Sequence, residues 1–330
     1  MSRAGEKTLR LLIQPIQAWL DDPHVTEICI NRPGEVWVER AGEWQRYPTP
    51  SLDFGALDSI ATLAAAMTNQ DVGPDHPLCA TALPEGQRVQ ICRPPAVSPG
   101  LVSITIRRPS SFRPSLDTLE GKGLFRQVTG NERRDASMTG AYHTSAPRAF
   151  LSAAVLARKN ILICGATGSG KTTLARALIE EIPRGERLIT IEDTPEWEAI
   201  PQQNRVALFY SKGDQGAAQV HSEDLLEASL RMRPDRVLMQ ELRDGAAFAY
   251  LRGVVAGHPG SITTLHAQSA AGAFDALRLM VRQHPAGATL ADADVQSLLS
   301  HMIDVVVHCE RRGTVFSVSE LWWKEARHAA

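Results

Sequence analysis

The stretch Asn160-Ile-Leu-Ile-Cys-Gly165-Ala-Thr-Gly-Ser-Gly-Lys-Thr172-Thr-Leu-Ala-Arg-Ala-Leu-Ile-Glu-Glu-Ile182 changes period on either side of a glycine-rich loop. Residues 160–164 are a short apolar run of the kind that forms a fully buried strand, and 173–182 read as a helix. Between them Gly165, Ala166, Thr167, Gly168, Ser169, Gly170, Lys171 and Thr172 match G-x-x-x-x-G-K-[ST] at every fixed position. Glycine at 165, 168 and 170 lets the backbone wrap closely around a polyphosphate with its N–H groups turned inward. The following helix, opening through Thr173, offers its positive end to the same anion. Lys171 is spaced to reach the β- and γ-phosphates, and the Thr172 hydroxyl to meet Mg²⁺. A Gly-rich turn beside an exposed lysine is the bland alternative; the flanking strand and helix favour a nucleoside-triphosphate site.

Downstream of this loop β and α segments alternate, the signature of a mainly parallel sheet covered by helices. Strands are expected at 187–192, 205–210, 236–241 and 261–265, with helices at 222–232 and 244–256. The chain then changes character. Residues 304–308 and 314–318 flank Glu310-Arg-Arg-Gly313, a hairpin signal.

Upstream, residues 7–20 carry apolar side chains at helical spacing, with a bend expected at Pro15. Strands are expected at 25–30 and 35–39 across the turn Asn31-Arg-Pro-Gly34, then a helix at 52–69, then short β segments over 79–107. Residues 1–109 thus read as a small α+β domain, and 149–330 as the nucleotide domain. Residues 110–148, rich in Pro, Ser, Gly and charge, read as a linker in which Gly123–Phe125 docks locally. Two domains suit a chain of 330 residues.

Bulk properties narrow the function. The net charge of −2 argues against a dedicated nucleic-acid binder, so no stable direct nucleic-acid binding is expected. The five cysteines include no C-x-x-C pair, which points away from a zinc module or a disulfide framework and toward a reducing compartment. There is no secretory h-region and no apolar run near the ~20 residues that cross a bilayer. Membrane association is expected to be peripheral. Arginines 88, 93, 107, 108 and 113 form a run without acidic residues, read first as a solvated face, next as phosphate contacts and least as recognition of DNA or acidic lipid. Arg107, at the end of an alternating strand, can project into an interdomain cleft.

Phosphoryl transfer to water needs a carboxylate to orient the nucleophile and one to serve the metal. Glu192-Asp193 and Glu241 close two expected strands, and carboxylates at the C-terminal ends of parallel strands face the crevice where ligands bind. Capping of the next segment is their structural alternative. His258 and His266 bracket another strand, where an imidazole could sense the γ-phosphate or simply be structural. Arg231, Arg233 and Arg236 could complete a neighbouring subunit's site or pair with helix carboxylates.

Taken in order, the loop at 165–172, Thr190-Ile-Glu-Asp-Thr194, Arg231-Met-Arg-Pro-Asp-Arg-Val-Leu-Met-Gln-Glu-Leu-Arg243 and Gly257-His-Pro-Gly-Ser-Ile-Thr-Thr-Leu-His-Ala267 resemble the secretion traffic-ATPase superfamily. They are similar to its Walker A, Asp box, Walker B and His box. Val25-Thr-Glu-Ile, Asn31–Glu39 and Ser103–Arg107 make the chain resemble most the hexameric ATPase of bacterial type IV secretion and conjugation systems.

That resemblance implies a RecA-like P-loop NTPase domain of α/β class, preceded by the smaller α+β domain. It also implies ATP and Mg²⁺ as cofactors, with nucleotide held between domains and reached by Arg107. Of the acids, Glu192 is preferred for orienting water and Glu241 for Mg²⁺, partly through water; the reverse assignment stays open. Lys171 and His266 join them as catalytic candidates. As partners the resemblance implies further copies in a six-membered ring, inner-membrane secretion proteins, and an exported protein or nucleoprotein. The place implied is the cytoplasmic face of a bacterial inner membrane. Gln240, where the family usually has glycine, is a departure. The rival readings are a type IV pilus or type II secretion ATPase and a RecA-like nucleic-acid translocase.

Overall fold

A computed structural model describes residues 3–108, 138–142, 146–197, 199–210, 220–255 and 257–328. The N-terminal sheet contains β1 (Val25–Ile30), β2 (Gly34–Arg40), β3 (Glu43–Thr49), β4 (Leu78–Ala82), β5 (Arg88–Cys92) and β6 (Ser103–Arg107). Their order is β3-β2-β1-β6-β5-β4, with every pairing antiparallel. Helix Arg3–Leu12 gives way at Pro15 to a 3-10 turn, Gln14–Ile16, before helix Gln17–Asp21. The missing proline N–H accounts for that break. Helix Phe54–Met67 starts at Asp53, whose side chain accepts the Ala56 N–H. Leu9, Ile13, Leu57, Ile60, Ile28, Val36 and Ile104 meet in one core.

The second sheet contains β7 (Ile161–Gly165), β8 (Leu188–Glu192), β9 (Arg205–Phe209), β10 (Arg236–Glu241), β11 (Ile262–Leu265), β12 (Val305–Arg312) and β13 (Val315–Trp323). The order is β13-β12-β7-β11-β10-β8-β9, parallel except for the β12–β13 hairpin. β7, β8 and β11 are buried along their whole length, as strands covered on both faces must be. The sheet therefore places β11 and then β10 between β7 and β8. Residues following β7 emerge beside the ends of β11 and β10, and that arrangement builds the crevice.

Three details depart from the sequence expectations. Glu310, Arg311 and Arg312 continue β12 rather than forming the turn, which tightens to Gly313-Thr314 with Gly313 at φ +62°. Helices Ala270–Gln283, Pro285–Ala288 and Asp292–Met302 fill a region for which no element was expected. Of the expected linker 110–148, only 138–142 and 146–148 are among the described residues. There Met138 is buried and Tyr142 packs 5.4 Å from both Phe150 and Trp323, so this end belongs to the second sheet's packing. Gly123–Phe125 and Arg113 lie outside the described residues.

The two sheets share buried polar contacts. Arg187, fully buried at the entrance to β8, donates to Asn31 Oδ1 (2.7 Å), Asn204 Oδ1 (2.5 Å), the Met232 carbonyl (2.9 Å) and Thr105 Oγ1 (3.4 Å). Ala96 accepts the Phe209 N–H, and Cys92, Ala96 and Val97 pack into the second sheet's core.

Candidate active site

The glycine loop leaves β7 at Gly165 and ends where helix Lys171–Glu180 begins. Gly168 (φ +72°) and Gly170 (φ +90°) hold the left-handed conformations the turn requires. Gly165 is needed for a different reason. A Cβ there would stand 2.3 Å from the Cys309 carbonyl oxygen and 2.5 Å from Ser169 Oγ, so any side chain would displace β12 from the loop. Lys171 is largely buried, and its ammonium donates to the carbonyls of Gly165 and Ala166, both at 2.9 Å. Desolvation pulls its pKa below the usual lysine value, while the nearby Glu241 carboxylate opposes that pull. Lysine and acid therefore share one electrostatic neighbourhood.

Glu241 ends β10, next to the end of β11 where His266 begins the following loop. His266 Nε2 lies 2.8 Å from Glu241 Oε1, without the alignment of a hydrogen bond, so this buried oxygen keeps no hydrogen-bond partner. The other oxygen, Oε2, accepts from Arg243 Nη2 at 2.5 Å. That bond raises the Arg243 pKa above its ordinary value. Arg243 also stands 3.9 Å from Asp193 Oδ2. Beside these groups opens a cavity of about 600 Å³, lined in part by Tyr210, Glu223, Glu241, Arg243 and His284.

Glu192 is placed differently. It is 1% exposed; Oε1 accepts from Thr190 Oγ1 at 2.6 Å, and Oε2 accepts the N–H groups of Glu196 and Trp197, each at 3.0 Å. Burial raises its pKa against those three donors. Both oxygens are thus engaged, Oε1 within β8 and Oε2 in holding the segment after it, which is the capping alternative. Gln240 takes part in the same region: its side-chain oxygen accepts the Asp193 N–H at 3.0 Å, tying the ends of β10 and β8 together.

Arg107, expected to reach the nucleotide, meets other groups within this chain. Arg107 pairs with Glu27 Oε1 at 3.2 Å and lines a separate pocket with Arg88, Arg108 and Arg233, to which no residue of 165–173 contributes. Arg236 is fully buried, held by Glu186 (2.7 Å) and the Val155 carbonyl (2.9 Å). Arg233 bonds Glu39 of the N-terminal sheet, and Arg231 pairs with Glu227 one helical turn away. His258 bonds the Pro234 backbone, and burial lowers its pKa. Sequence reasoning missed Arg187, Arg243 as the partner of Glu241, and the bonding role of Gln240. Arg243 lay inside a quoted motif, and its i, i+2 spacing from Glu241 at a strand end was the available signal.

Donor chemistry here suits Mg²⁺, which takes one or two protein oxygens and fills its shell with water and phosphate. The unpartnered Glu241 Oε1 and the Thr172 hydroxyl are of that kind.

A mainly parallel sheet with a glycine loop on a central strand, preceded by an antiparallel sheet domain, is the RecA-like ATPase architecture of α/β class. The family model described as Type II/IV secretion system protein matches residues 102–326. Protein VirB11 of Agrobacterium fabrum is 47% identical over 323 residues, covering 95% of this chain and 93% of that protein. The type IV secretion system protein VirB11 of Bartonella quintana is 45% identical over 326 residues, covering 94% and 91%. Among solved structures, the VirB11 ATPase of the Brucella suis type IV secretion system, in complex with sulphate, superposes with a TM-score of 0.91. It is 39% identical and covers 96% of this chain and 98% of its own.

The chain belongs to the VirB11 family of type IV secretion ATPases. The pilus, type II and nucleic-acid translocase alternatives are not favoured. No described helix is long and apolar enough to cross a membrane.

Proposed function

We propose that this ATPase hydrolyses ATP with Mg²⁺ at the loop 165–173, working as a ring of identical subunits, six by the family's example. In this reading residues 1–109 and 149–330 are the two moving domains. The observation that carries it is the meeting of three features at one place: the left-handed glycines, a desolvated Lys171, and a buried Glu241 oxygen without a hydrogen-bond partner.

Backbone N–H groups of residues 166–173 bind the phosphates, and Lys171 leaves the carbonyls of Gly165 and Ala166 to neutralise the β- and γ-oxygens. Thr172 and Glu241 would hold Mg²⁺, in part through water, and the ion would offset charge on the transferring phosphoryl group. Glu241, with His266 at 2.8 Å, keeps one oxygen free of hydrogen bonds and through it would serve both the metal's water shell and the attacking water, whereas both Glu192 oxygens accept from protein donors. His266 steadies the carboxylate and faces the γ-phosphate. Arg107 reaches the nucleotide held between the two domains. The ring docks on inner-membrane secretion proteins at the cytoplasmic face and powers export of protein or nucleoprotein.

The test is phosphate release from ATP by the full chain, with Mg²⁺ and with EDTA, compared with Lys171→Ala. Turnover should need Mg²⁺ and fall by at least about 100-fold in the variant. Wild-type turnover in Lys171→Ala overturns the proposal.

A further inference from the structure

The two flanks of the glycine loop differ in chemistry. β11 and β10, with His266 and Glu241 at their ends, lie on one side of β7, and β12 lies on the other. From β12 the chain turns into β13 and brings Phe316 back against the loop. A Cβ built on Gly170 would meet Phe316 Cδ1 at 3.2 Å, so the aromatic ring sits beside the backbone that begins the phosphate-binding helix. Phe316 nevertheless keeps 57% of its surface exposed. Its cross-strand neighbour Arg311 places its guanidinium carbon 5.2 Å from the ring centroid, and that guanidinium is steadied by Nε donating to the Gly313 carbonyl at 2.8 Å.

A nucleoside triphosphate seated with its terminal phosphate toward Glu241 must run its sugar and base the opposite way, toward this hairpin. There it meets a half-exposed aromatic with a cation over the ring, the pairing that stacks nucleobases. We infer that Phe316, supported by Arg311, is the platform on which the nucleobase stacks. The inference rests on the reading of 165–173 as the phosphate site. Stacking engages the face of a base and reads none of its edge groups, and every base has such a face. The platform therefore selects for a base without choosing strongly between adenine and guanine.

The experiment measures equilibrium binding to the full chain of three probes with Mg²⁺: a non-hydrolysable ATP analogue, its GTP counterpart and inorganic tripolyphosphate. Phe316→Ala should weaken both nucleotides by about 5- to 100-fold, the range base–aromatic stacking supplies, and leave tripolyphosphate within about twofold. Phe316→Trp should restore nucleotide binding. Unchanged nucleotide affinity in Phe316→Ala overturns the inference. So does an equal loss of tripolyphosphate, which would make Phe316 a support of the loop. Loss of self-association with nucleotide affinity intact overturns it too, and assigns the exposed β13 edge to a second copy of the chain. Retention of all three probes by Lys171→Ala would instead defeat the phosphate-site reading beneath it.

Discussion

His266 Nε2 stands 2.8 Å from Glu241 Oε1, across the ends of two adjacent parallel strands. The imidazole is half exposed and the carboxylate is largely buried, its Oε1 shielded from solvent. Catalysis by such a carboxylate is worth about 10²–10⁴ in rate. Glu241→Gln is therefore expected to lower kcat by at least about 100-fold while nucleotide still binds. His266→Ala should lower kcat by about tenfold or more at unchanged nucleotide affinity. Steady-state turnover set beside equilibrium binding separates the two effects. A loss of affinity that accounts for the whole loss of rate would remove both residues from the chemical step.

Glu192 makes the opposite case. Three protein donors occupy its oxygens, and the segment they hold carries the buried Trp197. Glu192→Gln keeps an acceptor for the two amides and is expected to cost less than about tenfold in kcat. Glu192→Ala leaves the buried Trp197 N–H unpaired, at about 1–3 kcal/mol, and removes the partner of the Glu196 N–H, so it should lower stability measurably by denaturant titration. A collapse of turnover in Glu192→Gln, with Glu241→Gln still active, would reverse the assignment of the two acids.

Most of this architecture was legible because it rests on local patterns. Residues 160–182 alone place a strand, a loop and a helix, and apolar runs at 188–192, 236–241 and 262–265 give the parallel strands. The roles of Glu192 and Glu241 were not legible, since both are strand-end acids in sequence. Only the fold shows that both Glu192 oxygens accept from β8 and the segment after it, while Glu241 keeps one oxygen without a hydrogen bond. The partner of Arg107 was hidden for a similar reason: Glu27, at 3.2 Å, lies 80 positions away across a β pairing. The helices over 270–302 could have been found. Ala273, Leu277 and Val281, like Val295, Leu299 and Met302, repeat at helical spacing and are all buried.

Arg187 is expected to matter more to stability than any surface arginine. Its guanidinium is fully buried between the sheets, and its side-chain hydrogen bonds go to uncharged oxygens of Asn31, Thr105, Asn204 and Met232. Arg187→Met keeps the stem but takes the donor from Asn31 Oδ1, Thr105 Oγ1 and the Met232 carbonyl, leaving Asn204 Oδ1 with the Asn31 amide, for a loss of about 3 kcal/mol. Arg231→Ala removes an exposed pair with Glu227, worth under about 0.5 kcal/mol. Urea unfolding of the three proteins compares them directly. Similar midpoints for wild type and Arg187→Met would show that Arg187 is no rivet between the sheets.

Glu27 should make stability fall as pH rises. Its side chain is 3% exposed, Oε1 meets Arg107 at 3.2 Å, and Oε2 has no hydrogen-bond partner. Burial pushes its pKa from 4.5 up to about 7, against the opposing pull of Arg107. A carboxyl raised in the folded state binds its proton more tightly there than in the unfolded chain. The associated stability is complete below about pH 4.5 and is lost progressively up to about pH 7. At ~1.4 kcal/mol per unit this amounts to roughly 3 kcal/mol. Glu192 and Asp304, also raised by burial, tilt the curve the same way, so the readout is the difference between wild type and Glu27→Gln. Denaturant unfolding at about pH 5 and pH 7.5 should show wild type losing more stability than the variant over that interval. Parallel losses in the two proteins would mean that the Glu27 carboxyl ionises at its ordinary pKa despite its burial.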